Sequence, residues 1–184
     1  MKRIIELIIG IITAGLLLSG CGAHQHQRQS TELTSVRVNW RKPSEKKPYP
    51  KLSFNHQTRD WLLVSIPKQK VFVMSPKHRI LYTMHASTGI HNSTPRGVYH
   101  IQGERGYFFY NQNSKEGAHY WTSWKDHGTY LFHTVPTNSK GHYNRSQANQ
   151  LGRKANSHGC IRLSIPDARW INHHVPMGTK VVIK

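Results

Sequence analysis

The chain has 184 residues, of which 36% are apolar and 18% are charged. This length suits one catalytic domain with small extensions, and the composition excludes a collagen-like or fully disordered protein because it can supply an apolar core. The 26 Lys and Arg residues against 8 Asp and Glu residues give a formal net charge of +18, which favours nucleic acid, anionic lipid or an anionic wall polymer as a partner without choosing among them.

The first 20 residues have the pattern of a signal peptide. A basic start, Met1-Lys2-Arg3, precedes an apolar run over 4–18 that Glu6 interrupts. The run ends in Leu18-Ser19-Gly20-Cys21, which resembles a bacterial lipobox, where the Cys is lipidated and the chain is cut just before it. We expect a lipid anchor at Cys21, with the remaining chain outside the cytoplasm, on the cell membrane and facing the wall. An uncleaved membrane anchor is the alternative, but the run is short for a spanning helix.

Export changes the meaning of the charge and of the cysteines. Without residues 1–20 the chain keeps 24 basic and 7 acidic side chains, which anionic headgroups or wall polymers would attract, whereas export argues against nucleic acid. A solvated basic surface without a specific ligand is the alternative. Once Cys21 carries lipid, Cys160 is the remaining thiol, so no intramolecular disulfide can form and Cys160 is either a reactive thiol or an inert buried one. A monomer is expected.

Residues 21–55 are predicted to be a basic tether that precedes a domain over 56–184. The segment is rich in Gln, Lys, Ser and Pro and has few regularly spaced apolar residues, so it would be extended and semi-stiff. Val36, Val38 and Trp40 alternate, and part of the segment could therefore pack as an edge strand.

Short β-type runs follow one another from Trp61 onward. Their apolar residues and the Pro-containing turns between them predict an antiparallel meander, with further strands up to the C terminus. The predicted strands cover 61–66, 70–74, 79–84, 98–101, 107–110, 129–132 and 180–183.

One helix is predicted after Ser164. Ser164 and Asp167 have the spacing of a capping box, and Ile165, Ala168, Ile171 and Val175 would share one helical face. Pro176 and Gly178 would end this helix.

The chemistry-bearing stretch is Ser157-His158-Gly159-Cys160-Ile161-Arg162-Leu163, with Phe132-His133-Thr134 upstream. These motifs, together with Thr94-Pro95-Arg96-Gly97, resemble the L,D-transpeptidase (YkuD-type) catalytic domain over roughly residues 60–184. The resemblance implies a mainly β fold, a mixed sandwich or barrel-like sheet with one helix near the C terminus. It also implies a peptidoglycan L,D-transpeptidase that needs no cofactor and is acylated by carbapenems.

A thiol attacks as a thiolate, and an ordinary Cys is mostly protonated at neutral pH. By resemblance, Cys160 is the nucleophile and the His133 imidazole keeps it ionised, while the carbonyl of Thr134 fixes the His133 tautomer. The amides of Gly159 and Cys160 are expected to stabilise the oxyanion. His158 would orient this loop or donate to the oxyanion. A structural histidine and an inert cysteine are the alternative interpretations.

Substrate contacts are expected from Arg162, Ser157, Tyr130, Trp121 and Trp124. Arg162 could instead form a structural salt bridge to Asp167 or another acid. The aromatic segment 103–127 resembles the lid over the active site of relatives, although core filling is the alternative for Phe108 and for about half of the other aromatic residues. His133 and Cys160 are separated by 26 residues, longer than in many relatives, so that the polar stretch 136–155 is interpreted as an insertion beside the cleft on which acceptor choice could depend.

Fourteen His residues raise the question of a metal site, but neither His173-His174 nor His24 with His26 has further ligands nearby, so no metal is predicted. The expected reaction is acylation of Cys160 by a tetrapeptide stem with release of D-Ala, followed by transfer to an acceptor amine. Water as acceptor would give an L,D-carboxypeptidase, and a protein amine would give a protein-to-wall ligase. A non-catalytic wall-binding lipoprotein is the alternative from another class. The third stem residue and the natural acceptor stay open.

Overall fold

The structure, a computed structural model, describes residues 37–55 and 58–184. The signal peptide predicted over 1–20 and the lipidation predicted at Cys21 lie outside the described residues. Within the described ranges no helix is long and apolar enough to cross a bilayer.

Eleven strands, two α-helices and one 3₁₀ turn over Ile90–Asn92 make up the described chain. The strands are β1 (Phe54–Asn55), β2 (Thr58–Arg59), β3 (Trp61–Ser65), β4 (Lys70–Met74), β5 (Ile80–Ser87), β6 (Gly97–His100), β7 (Arg105–Asn111), β8 (Glu116–Lys125), β9 (Tyr130–Thr134), β10 (Ile161–Leu163) and β11 (Lys180–Ile183). The helices are α1 (Arg145–Ala148) and α2 (Ile165–His174).

Nine of the strands form one mixed sheet in the order β6-β11-β3-β4-β5-β10-β9-β8-β7, while β1 and β2 pair with each other. The predicted meander is present as antiparallel β3-β4-β5, and the pairs β11–β3 and β10–β9 are parallel. The sheet curls, so that the chain leaving edge strand β6 comes next to β8. There the Gln102 amide donates to the Ser123 carbonyl, and the Ser123 amide donates to the Glu104 carbonyl. The mainly β, barrel-like architecture is thus confirmed.

The concave face of the sheet and helix α2 enclose the main core. Alternate residues of β3 and β4, such as Val64 and Val71, are fully buried, as are Ala168 and Ile171 of α2. The helix begins where predicted, because the Ser164 hydroxyl accepts from the Asp167 amide at 3.2 Å. Burying each Ile or Val side chain in this way contributes about 1.5–3 kcal/mol.

Part of the predicted tether packs on the domain. Residues 38–50, which we call the strap, form no strand, so the edge strand predicted over Val36, Val38 and Trp40 is absent at Val38 and Trp40, while Val36 lies outside the described residues. Trp40 instead fills a small core beside Val135, and its carbonyl accepts from the Ile165 amide at 2.9 Å. Further along the strap, the Ser44 hydroxyl and the Tyr49 hydroxyl donate to the buried Asp167 carboxylate at 2.5 and 2.7 Å.

Two strands near the site were not predicted. Strand β8 occupies much of the aromatic segment interpreted as a lid, and the motif segment continues into β10. The stretch 136–155 contains the short helix α1, and its residues Ala148 and Leu151 belong to the small core with Trp40.

Candidate active site

Parallel pairing of β9 with β10 brings the two halves of the motif together. His133 lies opposite Arg162 in the ladder, and Cys160 stands directly before β10. Because side chains alternate along a strand, Cys160, Arg162 and His133 belong to the same face of the sheet. All three line one cavity of about 500 Å³.

His133 is held in one orientation. Its ring is buried, at 6% exposure, and Nδ1 lies 2.6 Å from the carbonyl oxygen of Thr134. A carbonyl only accepts hydrogen bonds, so Nδ1 carries the proton and Nε2 is left with a lone pair. Burial, helped by the nearby Arg162 charge, lowers the pKa of His133 to about 3, although the bond to Thr134 opposes this. Burial and the Arg162 charge both favour a neutral imidazole at His133.

The surroundings of Cys160 favour the protonated thiol. Its Sγ lies 3.5 Å from the Thr129 carbonyl oxygen, to which the thiol donates. Burial raises the pKa of Cys160 to about 11, although the Leu131 amide and the Arg162 charge lower it. Both shifts favour the neutral forms, so we expect the Cys160 proton to move during attack and not before it, which differs from the thiolate expected from the sequence.

The loop that carries the nucleophile is fixed by its own hydrogen bonds. The Ser157 hydroxyl donates to the Cys160 carbonyl at 2.5 Å and accepts from the Gly159 amide at 3.1 Å. The Thr94 hydroxyl donates to the Gly159 carbonyl at 2.9 Å and accepts from the Gly89 amide. The Ser157 hydroxyl, predicted as a substrate contact, braces the loop while the residue lines the cavity, and the Gly159 amide, predicted as an oxyanion donor, bonds to Ser157. Of the predicted oxyanion donors, this leaves the Cys160 amide.

Gly159 permits a close approach at this loop. Its φ of +139° is one that side-chain-bearing residues rarely adopt, and a Cβ there would lie 2.9 Å from Cε1 of Tyr130. The Tyr130 ring consequently packs against the nucleophile loop, and it also lines the cavity.

Arg162 makes a structural ion pair rather than pointing freely at the cavity. Only 2% of the residue is exposed, and Nη2 lies 2.6 Å from Oε2 of Glu116. Nη1 donates to Oε1 of Gln147 at 2.5 Å and to the Asn156 carbonyl at 2.6 Å. Its partner is thus Glu116 and not Asp167. The geometry favours the structural interpretation over the predicted substrate contact, because most of the guanidinium donors are already engaged.

Glu116 is the residue of this site that the sequence did not reveal. It begins β8, lines the cavity of Cys160 and accepts from Nε2 of Gln147 at 2.6 Å. The one signal available was the scarcity of acids, 8 in the whole chain, which makes an acid beside an aromatic strand unusual. The exposed His158 ring stands next to it, with Nδ1 3.6 Å from Oε2 of Glu116.

The aromatic residues predicted as substrate contacts separate into two groups. Trp121 and Tyr130 line the cavity together with Phe109. Trp124 does not: it is 1% exposed and packs against Tyr99 in the main core, so its prediction as a substrate contact is wrong. A register shift between Ser123 and Lys125 interrupts the alternation of β8 at this point.

Comparison with known proteins adds a family and a relative. Residues 59–183 match the family model described as YkuD, the L,D-transpeptidase catalytic domain. A curated protein of Bacillus subtilis (strain 168), named "Putative L,D-transpeptidase YciB", is 38% identical over 193 aligned positions, which cover 96% of each chain.

Solved structures share the fold. The L,D-transpeptidase LdtMt1 in complex with imipenem has a TM-score of 0.55 at 23% identity, covering 68% of this chain and 60% of that one. The L,D-transpeptidase from Mycobacterium smegmatis has a TM-score of 0.56 at 18% identity, covering 69% of this chain and 59% of that one. The chain thus spans about three fifths of the length of these structures.

Proposed function

Given that the chain belongs to the YkuD family and is an L,D-transpeptidase, we propose that Cys160 is its nucleophile and His133 its general base in the cross-linking of peptidoglycan stem peptides. The observation that carries this proposal is the common face of β9 and β10, where His133 and Cys160 line one cavity and Thr134 fixes the tautomer of His133. Relatives of this family act on stem peptides, which sets the substrate class.

The first half-reaction forms a thioester. Sγ of Cys160 attacks the carbonyl carbon of the third stem residue, at its L-centre, in a tetrapeptide stem. Nε2 of His133 takes the thiol proton. Because burial favours the neutral form of both groups, we expect this proton to move as the C–S bond forms. The Cys160 amide donates a hydrogen bond to the developing oxyanion. One donor of this kind lowers the activation barrier by about 3–4 kcal/mol. The C–N bond then breaks, and His133 returns the proton to the leaving D-Ala amine.

The second half-reaction transfers the acyl group. An amine of a neighbouring stem attacks the thioester carbonyl, its proton passes to His133, the C–S bond breaks and the thiol is restored. One neutral base thus serves both steps, and the product is an amide cross-link between two third residues. Catalysis by these residues alone requires no cofactor.

Acylation by a carbapenem tests the nucleophile directly. The full chain is incubated with imipenem, the carbapenem in complex with the similar LdtMt1 structure, and its intact mass is measured. We expect an adduct of one imipenem that Cys160→Ala abolishes and Cys21→Ala retains. An adduct on the Cys160→Ala protein would refute the assignment. Mass spectrometry of wall digests then distinguishes cross-linked stems from the tripeptides that hydrolysis would leave.

Attachment to the membrane is a separate proposal. The lipobox-like Leu18-Ser19-Gly20-Cys21 supports lipidation of Cys21, and the family's action on the wall places the catalytic domain outside the cytoplasm. Labelled fatty acid fed to the producing cells should enter the protein and be absent from Cys21→Ser. Equal labelling of the two proteins would contradict the anchor.

A further inference from the structure

A second cavity adjoins the one that holds Cys160. It has a volume of about 400 Å³ and shares Ser114, Glu116 and Pro136 with the lining of the first cavity. One of its walls is the β7–β8 turn around Lys115, and the other comes from the stretch 136–155. The two cavities therefore meet at Glu116, next to the nucleophile loop.

The walls of the second cavity are fixed to the active site. Gly117 of β8 and Thr137 exchange backbone hydrogen bonds of 2.9 and 2.7 Å, which joins the start of the 136–155 stretch to the sheet. Gln147 bridges Glu116 and Arg162 with its two side-chain atoms, at 2.6 and 2.5 Å. The cavity is thus preformed, and its position relative to Cys160 is set by the same bonds that hold Arg162.

The turn at the outer side of this cavity is also ordered by side chains. Oδ1 of Asn138 accepts from the amides of Lys140 and His142, each at 3.0 Å. Oδ1 of Asn144 caps α1 by accepting from the Gln147 amide at 3.2 Å. His142 and Lys115 are exposed residues of the lining, and no ion pair joins either to an acid of the described chain.

The chemistry of this lining suits an amine-bearing peptide. An acyl transfer to an amine needs two peptides at once, one joined to Cys160 and the other presenting its nitrogen at the thioester. The second cavity supplies a cation at Lys115 for a peptide carboxylate, and its lining is otherwise rich in amide and hydroxyl groups that can bond a peptide backbone. Glu116, on the edge common to both cavities, has its two carboxylate oxygens engaged by Gln147 and Arg162, so it fixes where the two cavities meet and leaves the peptide contacts to the residues around it.

From this juxtaposition we infer that the cavity between the β7–β8 turn and the 136–155 stretch binds the acceptor stem, with Lys115 and His142 as its specificity-determining contacts. The inference rests on the proposed function, since it assigns the second substrate of the same reaction. The bound amine nitrogen bonds to the thioester carbonyl carbon, the C–S bond to Cys160 breaks, and the amine proton returns to the thiol through His133. A peptide held here competes with water for the thioester.

The test separates acylation from transfer. The full chain receives a synthetic tetrapeptide as donor and a tripeptide ending in a diamino acid as acceptor, and mass spectrometry measures cross-linked product against hydrolysed donor over a range of acceptor concentrations. The variants are Lys115→Asn, because Asn tolerates the local φ of +53°, and His142→Ala. Lys140→Asn is the matched control, because it removes an exposed lysine of the same stretch that lines neither cavity.

We expect the double variant Lys115→Asn/His142→Ala to need roughly tenfold more acceptor before the amount of cross-linked product equals that of hydrolysed donor. Its rate of acylation by imipenem should stay within about twofold of that of the unmodified chain. The Lys140→Asn control should partition like the unmodified chain. Unchanged partition in the double variant, with normal acylation, would overturn this inference alone. Failure of the unmodified chain to be acylated at Cys160 would overturn the proposed function, and this inference with it.

Discussion

Glu116 and Arg162 form an ion pair directly behind the nucleophile, with Oε2 and Nη2 2.6 Å apart. Arg162 lies two residues after Cys160 and opposite His133 in the ladder, so its charge is fixed beside both reacting groups. A buried cation that loses its partner costs more than the pair contributes, because it cannot regain its water. A charged arginine is therefore tolerated at this buried position in the sheet because Glu116 pairs with it.

Replacing Glu116 with Ala should destabilise the protein strongly. Arg162 would keep its charge without an acid, and we expect the free energy of unfolding to fall by about 3 kcal/mol, as measured by urea denaturation. Glu104→Ala, which removes the exposed partner of His127, is the control and should produce a clearly smaller loss because water screens that pair. Equal losses in the two variants would contradict a buried role for Glu116.

The neutral resting pair predicts an unusual pH dependence of alkylation. Iodoacetamide reacts with thiolate, and burial raises the pKa of Cys160 to about 11. The alkylation rate at Cys160, located by peptide mass spectrometry, should therefore rise steadily from pH 7 to pH 10. A thiolate–imidazolium pair would instead give a plateau at neutral pH, and observing that plateau would refute the neutral pair.

The buried imidazole also predicts a loss of stability in acid. Burial lowers the pKa of His133 from 6.5 to about 3, so the unfolded chain binds a proton first as the pH falls. The stability contributed by the neutral ring is present above pH 6.5 and is lost as the pH decreases toward 3. His133→Asn should reduce the slope of unfolding free energy against pH in this window by up to about 1.4 kcal/mol per pH unit. An unchanged slope would show that His133 titrates normally.

The sequence was most informative where local pattern and packing agree. Short stretches of the chain are enough to predict β3, β4 and the capped start of α2, and the structure confirms these predictions. Strand β8 was not recognised, because Tyr120 has a φ of +52° and a register shift follows at Ser123, which disturbs the alternation that identifies a strand. Trp124, expected to contact substrate as part of the lid-like segment, instead lies in the core next to this shift.

The residues of the site also differ in how readily the sequence identifies them. Cys160 and His133 could be identified because their neighbours form a recognisable motif, whereas the partners of Arg162 come from parts of the chain that carry no motif. Glu116 lies 46 residues away from Arg162 in sequence, and Gln147 belongs to the polar stretch 136–155. Only the folded sheet brings these side chains into contact, and no local spacing rule contains that information.

The strap should be held to the domain chiefly by the Asp167 carboxylate. The Tyr49 hydroxyl donates to it at 2.7 Å, and a hydrogen bond to a charged group contributes about 1.5–3 kcal/mol. Tyr49→Phe should lower the unfolding free energy by this amount and increase hydrogen exchange at Ser44 and Glu45. Tyr99→Phe is the matched control, because its hydroxyl bonds only the exposed Arg96 carbonyl. A loss no greater than that of the control would contradict the anchoring role of Asp167.

Gly159→Ala should impair acylation through the shape of the nucleophile loop. The φ of +139° is strained for alanine, and the new methyl group would lie 2.9 Å from Cε1 of Tyr130 and 3.0 Å from the Ser93 carbonyl oxygen. Relief requires the loop to move, and the Cys160 amide and thiol move with it, so we expect the rate of imipenem acylation to fall at least tenfold and the unfolding free energy to fall by about 1–3 kcal/mol. Gly103→Ala is the control, since its Cβ would meet Sδ of Met177 at an ordinary 3.7 Å. Retention of the full acylation rate in Gly159→Ala would mean that the loop tolerates displacement and that the precise placement of Cys160 is not limiting.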